Sequence, residues 1–174
     1  MEKLKPLQRA EDSLAKLPSV GRKSAERMAY ALLDMADEDI EEFASSIKQL
    51  KSSIRKCPIC GMLTDSDICE ICSSKDRDQS LIMVVSFPKD VISLEKSEGY
   101  NGLYHVLNGE ISLSKGIDVA DLNIAALIKR IEEGNIKEII IATNPTIDGE
   151  TTALYISKLL EPYKVNVTRL AYGL

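Results

Sequence analysis

The chain has no tryptophan, two phenylalanines and one histidine, His105. It has no apolar run near the roughly 20 residues that a membrane span needs, so no membrane role is expected. Met1 to Pro6 contain no apolar h-region, so no secretory signal is expected and the expected compartment is the cytoplasm. There is no internal repeat and no low-complexity tract. No cysteine or serine nucleophile constellation accompanies His105, which stands mid-strand between Tyr104 and Val106 and is expected to be a packed or hydrogen-bonded structural residue. What is present is ordinary for a globular protein: 174 residues, 44% hydrophobic and 28% charged. That length suits one large domain or two or three small ones.

The formal charge of -5 is unevenly spread. Residues 1–30 hold seven Lys/Arg against four Asp/Glu, while 31–56, 57–80 and 81–174 are each net acidic. With a Debye length of about 8 Å at physiological salt, a phosphate responds to the nearest face and not to the total. A local basic patch near the N-terminus is therefore compatible with an acidic chain.

Periodicity divides the chain into three segments. Residues 1–56 read as a helical domain: one helix carries Leu4, Leu7, Leu14 and Leu17, and Pro18 to Gly21 interrupt it. A second carries Ala25, Met28, Ala29 and Leu32 on one face. Asp37 reads as the N-cap of a third helix, on which Ile40, Phe43, Ile47, Leu50 and Ile54 recur at helical steps. That stripe is either an intramolecular core or a surface shared with a second copy of the chain. Residues 57–80 form a cysteine-rich insert too poor in apolar residues for a core of its own. Residues 81–174 alternate strand and helix signals. Apolar strands at 81–85, 103–107, 138–143 and 165–170 are separated by helices at 88–98, 122–133 and 149–160, with a loop over 108–121. The pattern predicts an α/β domain with a parallel sheet covered by helices.

All four cysteines fall in Cys57-Pro58-Ile59-Cys60-Gly61 and Cys69-Glu70-Ile71-Cys72. Two C-x2-C pairs can turn four thiolates toward one point, which suits tetrahedral Zn²⁺. Gly61 permits the tight turn that aims backbone N–H groups at sulfur. A redox dithiol or two disulfides is the alternative. With all four positions filled by protein, the zinc would be structural, one ion per chain, with no open site for catalysis.

Leu17-Pro18-Ser19-Val20-Gly21-Arg22-Lys23-Ser24-Ala25 places a tight turn before a helix. The first N–H groups of such a helix form an anion site, flanked here by Arg22, Lys23 and Arg27. The stretch resembles a helix-hairpin-helix motif that holds DNA phosphates without reading bases. An ordinary helix corner with a solvated basic face is the other reading. Ser19 stands where such motifs commonly have glycine.

Ala142-Thr143-Asn144-Pro145-Thr146-Ile147-Asp148-Gly149-Glu150 follows a buried strand and opens a helix, the usual place for a ligand site in an open α/β sheet. It resembles the second acidic motif of Toprim domains. In those enzymes an Asp-x-Asp pair binds Mg²⁺ and a Glu after the first strand acts in catalysis. Here those positions are Asn144, Thr146 and Ser86, which cannot supply the charge that offsets stripping Mg²⁺ of water. Asp148 and Glu150 remain, read either as favourable charge at a helix start or as a protein-docking patch.

The order of hairpin, four-cysteine site and degenerate Toprim sheet is similar to that of the bacterial RecR family of recombination mediators. Supporting stretches are Leu17 to Ala29, Tyr104 to Gly109, Lys115-Gly116-Ile117, and Ala142 to Pro145 with Gly149-Glu150. Asp148 departs from the expected Glu. The family also continues past Leu174 with an acidic, Walker-B-like segment, so this looks like a C-terminally truncated chain. The resemblance implies a non-enzymatic DNA-binding scaffold or clamp in recombinational DNA repair, acting with RecO and RecF to help load RecA recombinase at gaps. The Ile40 to Ile54 stripe and the gain from several hairpins acting together point to a dimer through residues 1–56, and the resemblance adds a second contact that closes dimers into a ring or tetramer in the full-length family. Arg22, Lys23 and Arg27 would contact DNA, Asp148 and Glu150 a partner, and Cys57, Cys60, Cys69 and Cys72 zinc. The alternatives are an active Toprim-type nuclease or topoisomerase, and a zinc-stabilised interaction module without DNA binding.

Overall fold

The computed structural model describes residues 4–171. Met1 to Lys3 and Tyr172 to Leu174, including the chain end at which a missing tail is expected, lie outside them. By contacts the chain divides into two units, 1–53 and 54–174.

The first unit is three helices, α1 (Lys5–Leu14), α2 (Arg22–Leu33) and α3 (Asp37–Ser53). Pro6 suits the first turn of α1, where a missing N–H costs nothing. The expected N-cap at Asp37 is corrected: Ile40 N–H already bonds Ala36 O, so the helix opens one residue earlier and Asp37 is inside its acidic first turn. Burial is slight. Ala25 and Ala29 of α2 are enclosed, and neither α1 nor α3 buries a side chain. Within the first unit the stripe on α3 is not covered: Phe43 is 44% exposed, Ile47 57% and Leu50 61%.

The second unit begins with a small antiparallel pair, β1 (Arg55–Lys56) and β2 (Leu63–Thr64), and a short α4 (Glu70–Ser73). A parallel sheet follows, built from β3 (Asp78–Val85), β4 (Gly102–Val106), β5 (Glu138–Ala142) and β6 (Asn166–Arg169), in the order β4-β3-β5-β6. Connecting helices are α5 (Pro88–Glu95), α6 (Ile124–Glu133) and α7 (Ile147–Leu160). The sheet is parallel throughout, as the apolar strands predicted.

Strand alternation sorts the core into two layers. Ile82 and Val84 of β3 join Ile139 and Ile141, Leu127 of α6, and Ala153, Ile156 and Leu160 of α7. Met83 and Val85 face the opposite way and join Tyr104, Val106 and Val91 of α5. The loop predicted over 108–121 holds two short 3-10 turns, Leu113–Lys115 and Val119–Asp121. Helix α7 begins at Ile147, two residues before the expected Gly149, because the Thr146 hydroxyl accepts the Gly149 N–H and caps it.

Strand β4 lies at a sheet edge, yet all five of its residues are buried. Its outer side is covered by the cysteine insert: Val106 N–H donates to Cys60 O at 2.7 Å. Asn108 Nδ2 donates to Gly61 O at 3.1 Å. Covering an edge strand removes the free N–H and C=O row through which sheets pair with other chains.

Candidate functional site

The sulfur atoms of Cys57, Cys60, Cys69 and Cys72 lie within 4.8 Å of one another. The knuckle forms because Gly61 adopts φ +78, a conformation that suits a residue without Cβ. Gly61 N–H then reaches Cys57 O at 2.9 Å, and Met62 N–H points at Cys60 Sγ at 3.5 Å. Gly61 is demanded a second time by packing, since a Cβ would come within 2.7 Å of Val106 O. The second pair is set by α4, which starts just after Cys69 and carries Cys72.

The electrostatics of the four thiols suit a cation. A hydrogen bond from Cys72 pulls the Cys60 thiol down to about 5, against the opposing effect of burial. Burial first, then the Cys60 charge, pushes Cys69 up to about 11. Cys72 is raised further, by its bond to Cys60, by burial and by its neighbours' charges. Thiols this close oppose one another's ionisation, so four thiolates at this spacing need a dication between them. Zn²⁺ supplies that charge when bound and deprotonates its ligands. None of the four cysteines is in a disulfide, and three of them are buried.

Arg22, Lys23 and Arg27 all project into solvent from the first two turns of α2. The first intrahelical bond is Ala25 N–H to Gly21 O, and Gly21 has no side chain to cap the N–H groups ahead of it. The turn before it is closed by Val20 N–H to Leu17 O. Ser19, the departure from the expected glycine, sits at φ +66, so the position does call for a left-handed residue.

The Toprim-like pocket holds a residue that sequence reasoning missed. Ser86, Asn144 and Thr146 converge on the carboxylate of Glu110, which is only 8% exposed. Ser86 Oγ donates to Oε1 at 2.6 Å, Asn144 Nδ2 at 2.8 Å and Asn144 N–H at 3.3 Å, while Thr146 Oγ1 donates to Oε2 at 3.3 Å. The three positions expected to bear metal-binding acids are donors around one carboxylate that enters from the loop after β4. No local pattern marks it, because the partners that hold it lie 24, 34 and 36 residues away.

Asp148 and Glu150 lie at the start of α7, close to this pocket. Asp148 takes a bond from Lys115 Nζ at 3.1 Å. Hydrogen bonds from Ser112 and Lys115 hold its carboxyl below the usual range. Arg169 forks onto Glu150 at 2.9 and 2.5 Å, lowering that carboxyl as well. Both acids are therefore parts of ion pairs. Leu113, 97% exposed, and Ile147, 86% exposed, stand within two residues of the Lys115–Asp148 pair.

His105 is fully buried in β4, with Nε2 2.7 Å from Asn123 O and Nδ1 3.3 Å from Arg130. Burial, with Arg130 adding to it, lowers its pKa to about 4. It is a neutral structural residue with no open face for a substrate.

A helical hairpin presenting cations, a closed four-cysteine site and a parallel sheet whose Toprim-like acid positions are neutral follow one another along the chain, the order of a Toprim-bearing protein. Family comparisons agree piece by piece. Residues 7–51 match the model described as RecR, helix-hairpin-helix; 54–74 match the RecR four-cysteine zinc finger domain; and 80–171 match Toprim domain. The chain is 48% identical over 169 residues to Recombination protein RecR of Enterococcus faecalis, covering 97% of this chain and 85% of that one. The chain belongs to the RecR family, the recombination mediators of recombinational DNA repair. Its cysteine cluster is a four-cysteine zinc finger holding one structural Zn²⁺. Among the described residues no helix is long and apolar enough to cross a membrane.

Proposed function

We propose that this chain is a non-enzymatic DNA clamp that acts with RecO and RecF in the cytoplasm to help load RecA recombinase at gaps. The observation that carries the reading is the pocket filled by Glu110. Its Ser86, Asn144 and Thr146 donors already satisfy one carboxylate, so the pocket keeps no cluster of acids to gather Mg²⁺ for phosphodiester chemistry. Arg22, Lys23 and Arg27 supply phosphate contacts that tolerate any sequence. The exposed Phe43, Ile47 and Leu50 support a dimer through residues 1–56, since covering the apolar area each still exposes is favourable. A dimer also doubles the number of hairpins acting on one duplex, and avidity then multiplies weak contacts. A second contact would close such dimers into a ring or tetramer.

Asp148 and Glu150 form the docking rim for RecO. Because Lys115 and Arg169 already neutralise them, the rim offers exchangeable ion pairs around the exposed Leu113 and Ile147. Charge then steers and orients the encounter more than it supplies affinity.

Salt-dependent DNA retention tests the clamp. Each duplex phosphate contact adds about 0.9 to the slope of log affinity against log salt. The Lys23→Ala/Arg27→Ala double variant should flatten that slope by about 2 per hairpin engaged. Unchanged salt dependence would place the DNA contacts elsewhere.

A further inference from the structure

Glu110 does more than fill space. Thr146 Oγ1 touches Glu110 Oε2 on one side and accepts the Gly149 N–H at 3.0 Å on the other. Gly149 is the residue between the two rim acids. A Cβ on it would meet Asn144 O at 2.1 Å and Glu110 Oε1 at 3.0 Å, so the first turn of α7 rests directly on the carboxylate and its loop. The segment that follows Glu110 runs along the same turn. Ile111 N–H donates to Thr152 Oγ1 at 2.9 Å, and Lys115 reaches Asp148. Without Glu110, the buried Ser86 hydroxyl and the Asn144 amide would lose the acceptor they share, and an unmatched buried donor is costly.

We propose that Glu110 is a positioning residue: it binds the 144–146 loop from the vacated acid pocket and thereby fixes Asp148 and Glu150 for docking. The functional half of this inference rests on the reading of those acids as the RecO rim. The acceptor for these donors is supplied by the chain itself and needs no bound ligand. It ties three segments together, the ends of β3 and β5 and the loop after β4, at the single point where α7 begins.

The test uses the zinc-loaded full chain as wild type, Glu110→Ala, the double variant Ser86→Glu/Glu110→Ala, and Glu150→Lys. The double variant returns a carboxylate to the pocket from the β3 side. Two quantities are read: amide hydrogen exchange, and affinity for purified RecO at low salt. In Glu110→Ala, amides of 144–150 should exchange at least about tenfold faster, while the central amides of β3 and β5 stay within about twofold, because the opening is local. RecO affinity should fall about tenfold, and the double variant should regain most of both. Unchanged exchange at 144–150 overturns the proposal. So does acceleration shared equally by β3 and β5, which would make Glu110 a general core residue, and so does failure of the relocated carboxylate to restore protection in a folded protein. The docking reading fails separately: Glu150→Lys and Glu110→Ala would then bind RecO like wild type while the exchange difference persisted.

Discussion

Protonation of His105 should undermine the sheet in mild acid. The ring is fully buried and donates from Nε2–H to Asn123 O, so Nδ1 carries the lone pair that meets Arg130. A second proton would have to enter at Nδ1, against the guanidinium and without water. The pKa is accordingly lowered from 6.5 to about 4. Between those values the unfolded chain binds the proton and the folded chain does not, so stability rises with pH. The contribution is complete above the unfolded pKa and is lost as pH falls toward the folded one. From pH 7 to pH 5 the loss is about 2 kcal/mol, approaching about 3 kcal/mol below pH 4. Carboxylates and zinc ligands also titrate, so the comparison is with His105→Gln, whose amide nitrogen can still donate to Asn123 O and which takes up no proton. Urea unfolding of both zinc-loaded proteins at pH 7 and pH 5, followed by far-UV circular dichroism, gives the double difference. The wild type should lose about 2 kcal/mol more than the variant. Equal losses would mean that His105 is protonated in the native sheet, and the assigned tautomer would be wrong.

Cys60→Ala should release the metal, unfold the knuckle and uncover the edge of β4, while the sheet persists; elemental analysis finding one zinc per chain in the variant would contradict this. The binding energy removed is on the order of 10 kcal/mol in zinc-finger peptides, so the insert should not survive in part. Ser19→Gly should stabilise the first unit by about 1 kcal/mol, because Ser19 holds φ +66 at a cost glycine does not bear; a lower melting temperature would count against it. Phe43→Ala and Ile47→Ala should each weaken self-association about tenfold in light scattering over a concentration series. A wild-type chain that stays monomeric throughout would remove the interface altogether.

How far the sequence can be read follows the range of the interactions. The zinc ligands are legible because two C-x2-C pairs are local and a chain can bring them together in few ways. The four sheet strands are legible because burial on both faces writes near-continuous apolar runs, as in Leu81 to Val85. β1 and β2 escape the sequence, since two residues on either side of a knuckle leave no periodicity. The sequence starts α7 too late because Thr146 reads as a lost metal ligand when its hydroxyl is a cap. Glu110 is invisible for a different reason. Its partners lie 24, 34 and 36 residues away, and no local pattern states that a carboxylate after β4 will enter a pocket lined from β3 and β5. The α3 stripe shows the opposite case: its helical spacing is plain, but spacing alone does not say whether a core or a second copy covers it.

A Toprim pocket sealed by its own carboxylate should leave the protein able to hold DNA and unable to cut it. One experiment reads both halves. Zinc-loaded protein is incubated with supercoiled plasmid and Mg²⁺ or Mn²⁺ at low and high salt, and each sample is run on a gel before and after the protein is removed. Retarded plasmid at low salt, released at high salt and recovered fully supercoiled, is the predicted result. Nicked or relaxed plasmid that requires the metal and disappears in Glu110→Ala or Asp148→Ala would contradict it.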